Sequence, residues 1–240
     1  MSSVALWHQV ECAGYAADLP VWERLAEAAQ GPVLELGCGS GRIALRLARL
    51  GHRVWAVDID PELISSLAAV TESQGLPVKA IEADVTRLSL DREFGLILAP
   101  MQLLQVIGGR AARAAALRRA AAHLGPGDRF AAAIVDGVPA QVPGDALPLP
   151  DLREVDGWIY SSLPLGVDVA DGLLRVRRLR QVVSPDGGVS EGEHTEILEL
   201  IDARALEDEA SAAGLRPAAR LEVPPGDGHV GSTVVVLEKA

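Results

Sequence analysis

Apolar and polar residues fall in blocks along the first half of the chain, and the period switches from one block to the next. Pro32–Leu36 (PVLEL) is a short apolar run ending in glycines, which predicts a buried strand. Over Ser40–Leu50, Ile43, Leu47 and Leu50 fall on one face and Arg42, Arg46 and Arg49 on another, an amphipathic helix closed by Gly51. Arg53–Asp58 predicts a second strand, and Pro61 at a first helical turn opens a helix to about Ser73. Strands follow at Val78–Ala83 and Phe94–Ala99. An Ala-rich helix at Arg110–Leu124, closed by Gly125-Pro126-Gly127, precedes a fifth strand at Arg129–Val135. Strands separated by helices predict a doubly wound, mostly parallel α/β sheet.

The period then changes. Gly137–Pro150 is rich in Pro and Gly and predicts a loop. β-rich segments near Trp158–Val169, Leu173–Ser184 and Val189–Ile201 follow with no helix between them. The turn signals Asp171-Gly172 and Asp186-Gly187-Gly188 separate them, so they predict an antiparallel meander. A helix at Ala203–Ala213, ended by Gly214, and strands near Arg216–Val223 and Thr233–Glu238 restore the α/β pattern. The expectation is a single domain over residues 1–240. It comprises an N-terminal cap (1–30), a core (31–136), an antiparallel β insertion (151–201) and a closing helix with strands (202–240).

Composition narrows the function classes. Of 240 residues, 49% are hydrophobic and 23% charged, which suits a chain with a real core. Lys and Arg number 22 against 33 Asp and Glu, a net charge of −11 that repels phosphate backbones. Aromatic residues at 3% leave little material for base stacking, so no nucleic-acid partner is expected. No apolar run approaches the roughly 20 residues that span a bilayer, and the first residues lack the basic and apolar regions of a signal peptide. The cysteines, Cys12 and Cys38, are too few for a disulfide framework or a structural zinc site. A cytoplasmic protein without a membrane partner is the expectation.

The most informative stretch is Val33-Leu-Glu35-Leu-Gly37-Cys38-Gly39-Ser-Gly41-Arg42. Glycines at alternate positions between a strand and a helix bring the backbone against a ligand, with free N–H groups of the helix aimed at it. A dinucleotide fingerprint needs a small third residue at position 42, where Arg42 stands, and no Gly-Lys-Ser/Thr follows to make a P-loop. Glu35-x-Gly37-x-Gly39-x-Gly41 resembles motif I of the class I S-adenosylmethionine-dependent methyltransferases. That resemblance implies a Rossmann-like seven-stranded sheet and S-adenosyl-L-methionine as cofactor. It further implies that Asp58, ending the second strand beside Ile59, binds the ribose hydroxyls. Glu82-Ala83-Asp84-Val85 resembles the adenine-contacting segment, with Asp84 accepting from the exocyclic amine, and Ala99-Pro100-Met101-Gln102 takes the place of motif IV. The implied cofactor set is Glu35, Gly37, Cys38, Gly39, Gly41, Asp58, Ile59, Asp84, Val85, Pro100 and Gln102. Cys38 is read as a small loop residue and not a nucleophile.

The segment after the fourth strand lacks the Asp/Asn-Pro-Pro-Tyr/Phe pattern of amino-methylating nucleic-acid enzymes and the Pro-Cys nucleophile of cytosine C5 enzymes. A small-molecule acceptor is the expectation, with an RNA or protein methyltransferase, or a non-catalytic binding module, as alternatives. Trp7-His8, Tyr15 and Asp18–Trp22 resemble the cap of glycine/sarcosine and amino-sugar methyltransferases, in which a tyrosine lies over the sulfonium side; Tyr15 is the residue that matches. Methyl transfer from a sulfonium needs mainly positioning and exclusion of water. An amine acceptor needs only a free lone pair, whereas a hydroxyl usually needs a base or metal, so N-methylation stands slightly ahead of O-methylation. Candidate bases are His8, Asp136 and His194; Tyr15, His194 and Asp136 are the candidate catalytic residues. Alternation places His194 with Glu196, on what reads as a solvated face. His52 and His123 read as structural. No cluster has metal-ligand spacing, and metal independence is expected. Gln102 and Gln105 should lie at the pocket floor beyond the strand C-termini. The run Arg175–Arg180 reads as a strand paired with Asp and Glu, and the meander edge makes the chain a monomer or a homodimer through the β insertion.

Overall fold

The computed structural model describes residues 3–137, 149–226 and 230–240. The chain opens with α1 (Ser3–Cys12) and α2 (Leu19–Ala28), then enters the core through β1 (Val33–Leu36), α3 (Arg42–Arg49), β2 (Val54–Asp58), α4 (Pro61–Gln74) and β3 (Val78–Glu82). It continues through β4 (Phe94–Ala99), the single turn α5 (Leu103–Val106), α6 (Arg110–Ala122) and β5 (Leu124–Ile134). The insertion follows as β6 (Asp151–Val155), β7 (Trp158–Ala170), β8 (Leu173–Val183) and β9 (Val189–Glu199), and α7 (Ala203–Ser211), β10 (Leu215–Val223) and β11 (Ser232–Lys239) close the chain.

Seven strands form one sheet in the order β10-β11-β5-β4-β1-β2-β3, with β11 antiparallel to both its neighbours and the other core pairs parallel. The sheet is buried on both faces, as parallel strands require. On one face Leu34, Leu36, Phe94 and Phe130 pack with Leu117 of α6 and Leu206 of α7. On the other, Val33, Leu96 and Leu98 pack with Trp22 of α2, Ile43 and Leu47 of α3, and Leu67 of α4. The sheet order reverses between β1 and β4, and that crevice lies beside the glycine loop, the usual place for a ligand in an open α/β sheet.

The structure adjusts several expectations. The helix expected over Ser40–Leu50 starts at Arg42, because Gly41 at φ 90° is its N-cap. Gly125-Pro126-Gly127 belong to β5 and are not a stop between elements. Leu124 already pairs with Phe94, and a register shift between Phe94 and Leu96 takes up the irregular segment. The insertion is a four-stranded sheet in the order β6-β7-β8-β9, with β6 added to the expected meander through a turn at Asp156-Gly157. Of the expected loop Gly137–Pro150, positions 138–148 lie outside the described residues. The expected cap folds into two helices, α1 and α2.

The ends of the insertion are fastened to the core at one place. Asp136 bridges to Ile201 in parallel register. Buried Gln105 of α5 accepts from Val135 N at 2.7 Å and donates to the carbonyls of Val135 and Glu199 at 3.2 and 3.1 Å. Leu174, Leu198 and Val135 form a small core beneath this seam.

Candidate functional site

The C-terminal end of β1 runs directly into the glycine loop. Gly37, Gly39 and Gly41 have φ of 65°, 55° and 90°, conformations that an L side chain adopts only with strain. At Gly39 the space is closed as well. A Cβ there would stand 2.1 Å from Nε2 of His8, which α1 lays over the loop. Nδ1 of His8 lies 3.1 Å from Ser40 Oγ and 3.5 Å from Ser40 N, which donates to it. Burial lowers the His8 pKa, partly opposed by Asp58, so the ring is neutral near pH 7.

Asp58, at the end of β2, faces the same loop. Its Oδ2 accepts from Gly39 N at 2.8 Å and its Oδ1 from Asp60 N at 3.0 Å. A carboxylate has about four acceptor positions, so each oxygen keeps one free. Ile59 beside it is 68% exposed, an apolar side chain left open at a strand end. Asp84, after β3, accepts from Thr86 N and Oγ1 at 2.8 and 2.7 Å, and these bonds hold its carboxyl below the usual range. Val85 next to it is buried. After β4, Pro100 and Met101 line the cavity, and both Met101 and Gln102 have left-handed φ, 50° and 58°. Consecutive non-glycine residues in that region mark a constrained corner of the kind found at functional sites. Met101 lines this cavity, although the sequence singles out only its neighbours Pro100 and Gln102.

Glu35 sits under the loop, 2% exposed, with Oε2 unpartnered in the structure. Burial pushes its pKa up to about 8, against the opposing pull of Arg42, so the carboxyl is protonated at neutral pH. Cys38 is buried, its Sγ turned to the Gly39 carbonyl at 3.6 Å, and burial near Glu35 and Asp58 drives its thiol far up. Cys12 is likewise pushed up to about 12 by burial and by Glu196 and Glu11. Neither cysteine is a thiolate. The cavity between His8, Cys12, Glu35, Gly37 and Met101 is about 30 Å³, room for a water or two. A larger cleft of about 130 Å³ lies at the other end of the sheet, between Ala28–Gln30, Gly95 and Gly127–Arg129, away from the strand C-termini.

The remaining candidates are placed as follows. Tyr15 packs its ring against the Arg42 guanidinium, 5.1 Å from the ring centre, and its carbonyl accepts from Arg42 Nη1 at 2.9 Å. Asp136, exposed at the end of β5, accepts from Ala203 N at 2.9 Å at the start of α7. His194 is half-buried on β9, opposite Arg178 of β8. Its face is only partly solvated: Glu196 is exposed, His194 half-buried and Leu198 buried, and the same face carries Arg178, Arg180 and Ser162 toward α1. The opposite face carries Arg177, paired with Asp168 and Glu193, and exposed Ile159 and Ile197. Gln105 fastens the insertion, as described above. His123 is structural. Its Nδ1 donates to Arg119 O at 2.6 Å and its Nε2 accepts from Leu90 N at 2.8 Å, which together fix the tautomer.

Comparison with known proteins gives this geometry relatives. A model described as a methyltransferase domain matches residues 33–127, which run from β1 into β5. The chain is 30% identical over 159 residues to the ubiquinone biosynthesis O-methyltransferase of Methylobacterium sp. (strain 4-46), 65% of this chain and 58% of that protein. It spans 26% and 34% of the length of two further curated relatives. Its fold is similar to that of the CcbJ methyltransferase from Streptomyces caelestis, with a TM-score of 0.72 at 22% identity over 95% of this chain and 92% of that one. It is similar again to CalS10, an amino pentose methyltransferase from Micromonospora echinaspora, with a TM-score of 0.72 at 16% identity over 100% and 98% of the two chains. Residues 33–127 match the methyltransferase domain model, and the chain has the fold of these methyltransferase structures.

Proposed function

We propose that the protein is an S-adenosylmethionine-dependent methyltransferase acting on a small molecule, with an amine acceptor ahead of a hydroxyl. The observation that carries the reading is Asp58, seated on Gly39 N at 2.8 Å beside exposed Ile59, at the strand end next to the glycine loop. The residues present fit the cofactor. Asp58 keeps acceptor positions for a vicinal diol, and Glu35 offers an unpartnered buried oxygen under a loop where only glycine fits. Glu35, Gly37, Cys38, Gly39, Gly41, Asp58, Ile59, Asp84, Val85, Pro100 and Gln102 would hold it. When bound, it supplies an electrophilic methyl group on a sulfonium.

The chain's own work is then to orient and to exclude water. The glycine loop and Asp58 would fix the cofactor, and α1, through His8, covers that loop. The acceptor's nucleophile must arrive unprotonated. Asp136 is already engaged by Ala203 N, while His8 carries a neutral imidazole at the cavity. An amine that presents its own lone pair needs no further base, which supports N- over O-methylation. The CalS10 neighbour is named as an amino pentose methyltransferase and the Methylobacterium relative as a ubiquinone biosynthesis O-methyltransferase, which supports a small acceptor of either kind.

Calorimetric titration with S-adenosylhomocysteine tests the first half of the proposal, and absence of binding would overturn it. A screen of amines, amino sugars and phenols with methyl-labelled cofactor tests the second half. Label transferred to RNA or protein and to none of the small molecules would reverse the acceptor assignment.

A further inference from the structure

The face of the insertion that meets α1 carries several charged side chains, and most of them are engaged. Arg180 of β8 donates from Nε and Nη2 to Glu11 of α1, both at 2.7 Å. Arg178 is held by Asp151 of β6 and donates from Nε to Ser162 Oγ at 2.7 Å. Glu196 of β9 is the exception. By register it lies on this face across from Val176, with His194 two residues before it across from Arg178 and buried Leu198 two residues after. It is exposed, and its carboxylate makes no hydrogen bond and no ion pair with any described residue. The protein around it nevertheless raises its pKa by desolvation; Glu11 adds to the rise, and His194, Arg178 and Arg180 oppose it. A carboxylate that solvent reaches but protein surrounds stands on the wall of a cleft.

That wall lies beside the glycine loop. Of all charged groups Glu196 acts most strongly on the Cys12 thiol, ahead of Glu11, and Cys12 lines the cavity with Gly37 and Met101. The complement of an unengaged carboxylate is a cation, and an aliphatic amine is an ammonium ion at neutral pH. Resting on the cofactor and acceptor readings above, we propose that Glu196 sets the acceptor specificity: its carboxylate binds the ammonium nitrogen of an amine acceptor and takes up the proton that nitrogen must lose before it is methylated. One N–H bond breaks, its proton goes to a Glu196 oxygen, and the electron pair stays on the now neutral nitrogen. Once methylated the nitrogen is a cation again, and exposed Glu196 returns its proton to water. A hydroxyl acceptor brings no cation and gains no such bond.

The test compares the full chain as wild type, Glu196→Gln, Glu196→Asp and, as a control for the lost charge, Glu191→Gln, which alternation places on the opposite face. Cys12 is the reporter. It is modified with 2-aminoethyl methanethiosulfonate, which carries an ammonium, and with neutral methyl methanethiosulfonate, each followed by mass spectrometry of the Cys12 peptide. The ratio of the two rates cancels the reactivity of the thiol and reads the pull on the ammonium. Glu196→Gln should lower that ratio about threefold to tenfold, the pull of one nearby charge. Glu196→Asp should restore part of it, and Glu191→Gln should match the wild type. Methyl transfer is then measured on the matched pairs glucosamine and glucose, and benzylamine and benzyl alcohol. Glu196→Gln should raise KM for a methylated amine about tenfold, with S-adenosylhomocysteine affinity unchanged in calorimetry. An unchanged rate ratio overturns the proposal, as does a loss shared equally by amine and alcohol. Resistance of Cys12 to both reagents would mean that the cleft admits no small amine, and overturns it too. If none of the four compounds is methylated, the rate ratio decides. A wild type that methylates the alcohols and not the amines overturns the amine reading, and this proposal with it. Failure to bind S-adenosylhomocysteine at all overturns the cofactor reading instead.

Discussion

Asp18 holds Arg42 through two bonds of 2.6 and 2.7 Å, one from each terminal guanidinium nitrogen, with both side chains almost fully buried. Trp22 Nε1 donates to the same carboxylate at 2.8 Å. The pair joins the residue before α2 to the first residue of α3, so the cap is clamped to the helix that leaves the glycine loop. It also explains why position 42 is not small. The residue that excluded a dinucleotide loop is the anchor of the cap.

Removing one partner leaves a buried charge alone. Arg42→Ala should destabilise the protein by about 3–5 kcal/mol, the usual cost of breaking a buried pair. Urea denaturation reads this directly. A loss no larger than about 1 kcal/mol, typical of an exposed pair, would show that the clamp is not buried in solution.

Asp58→Ala should weaken S-adenosylhomocysteine by ~1.5–3 kcal/mol in calorimetric titration, since the carboxylate supplies charge-assisted bonds. Asp84→Ala should cost less, because its side chain is 36% exposed and water competes for the bond it would accept. Wild-type affinity in Asp58→Ala would refute the ribose assignment.

Glu35 gives the stability a pH dependence of defined sign. Burial raises its folded pKa to about 8, above the ordinary 4.5, so between those values the folded state holds a proton that the unfolded state has lost. Its contribution is therefore complete below about pH 4.5 and is lost as pH rises through about 8. Glu35→Gln removes that titration. Thermal melts across this range should show the Gln variant gaining on the wild type as pH rises, and a constant difference would place the carboxyl outside the buried site.

Gly39→Ala combines a left-handed backbone penalty of ~1–2 kcal/mol with a clash against His8. In the double variant with His8→Ala only the backbone part should remain. Melting temperatures of the two single variants and the double give the coupling, and strict additivity would mean that His8 does not lie on Gly39.

Much of this site is legible in the sequence, and the gaps have physical causes. The glycine loop, Asp58 and Asp84 follow strand ends in a fixed order, so short-range pattern places them. The α1 helix does not show because its apolar residues do not make one clean stripe: Ala5, Leu6 and Val10 are buried against the core, while Trp7, His8 and Glu11 serve two other surfaces. Alternation pairs His194 with Glu196 correctly but cannot tell which face of a meander is covered. That depends on α1, more than 180 residues away in the chain, which meets the inner face through Glu11. Strand β5 starts early for a similar reason, since the pairing of Leu124 with Phe94 overrides the local turn signal of Gly125-Pro126-Gly127.

Asp136 and Ile201 sit side by side, bridged in parallel register, with Gln105 tying Val135 to Glu199 just above them. The core thus sees the whole intervening segment as a loop whose ends already touch. Its length and sequence can vary without stretching the central sheet, since closing a longer loop between fixed ends adds little entropy. The insertion is in this sense a cassette held at its two ends and, through Glu11, at α1, so a change within its strands need not disturb the central sheet.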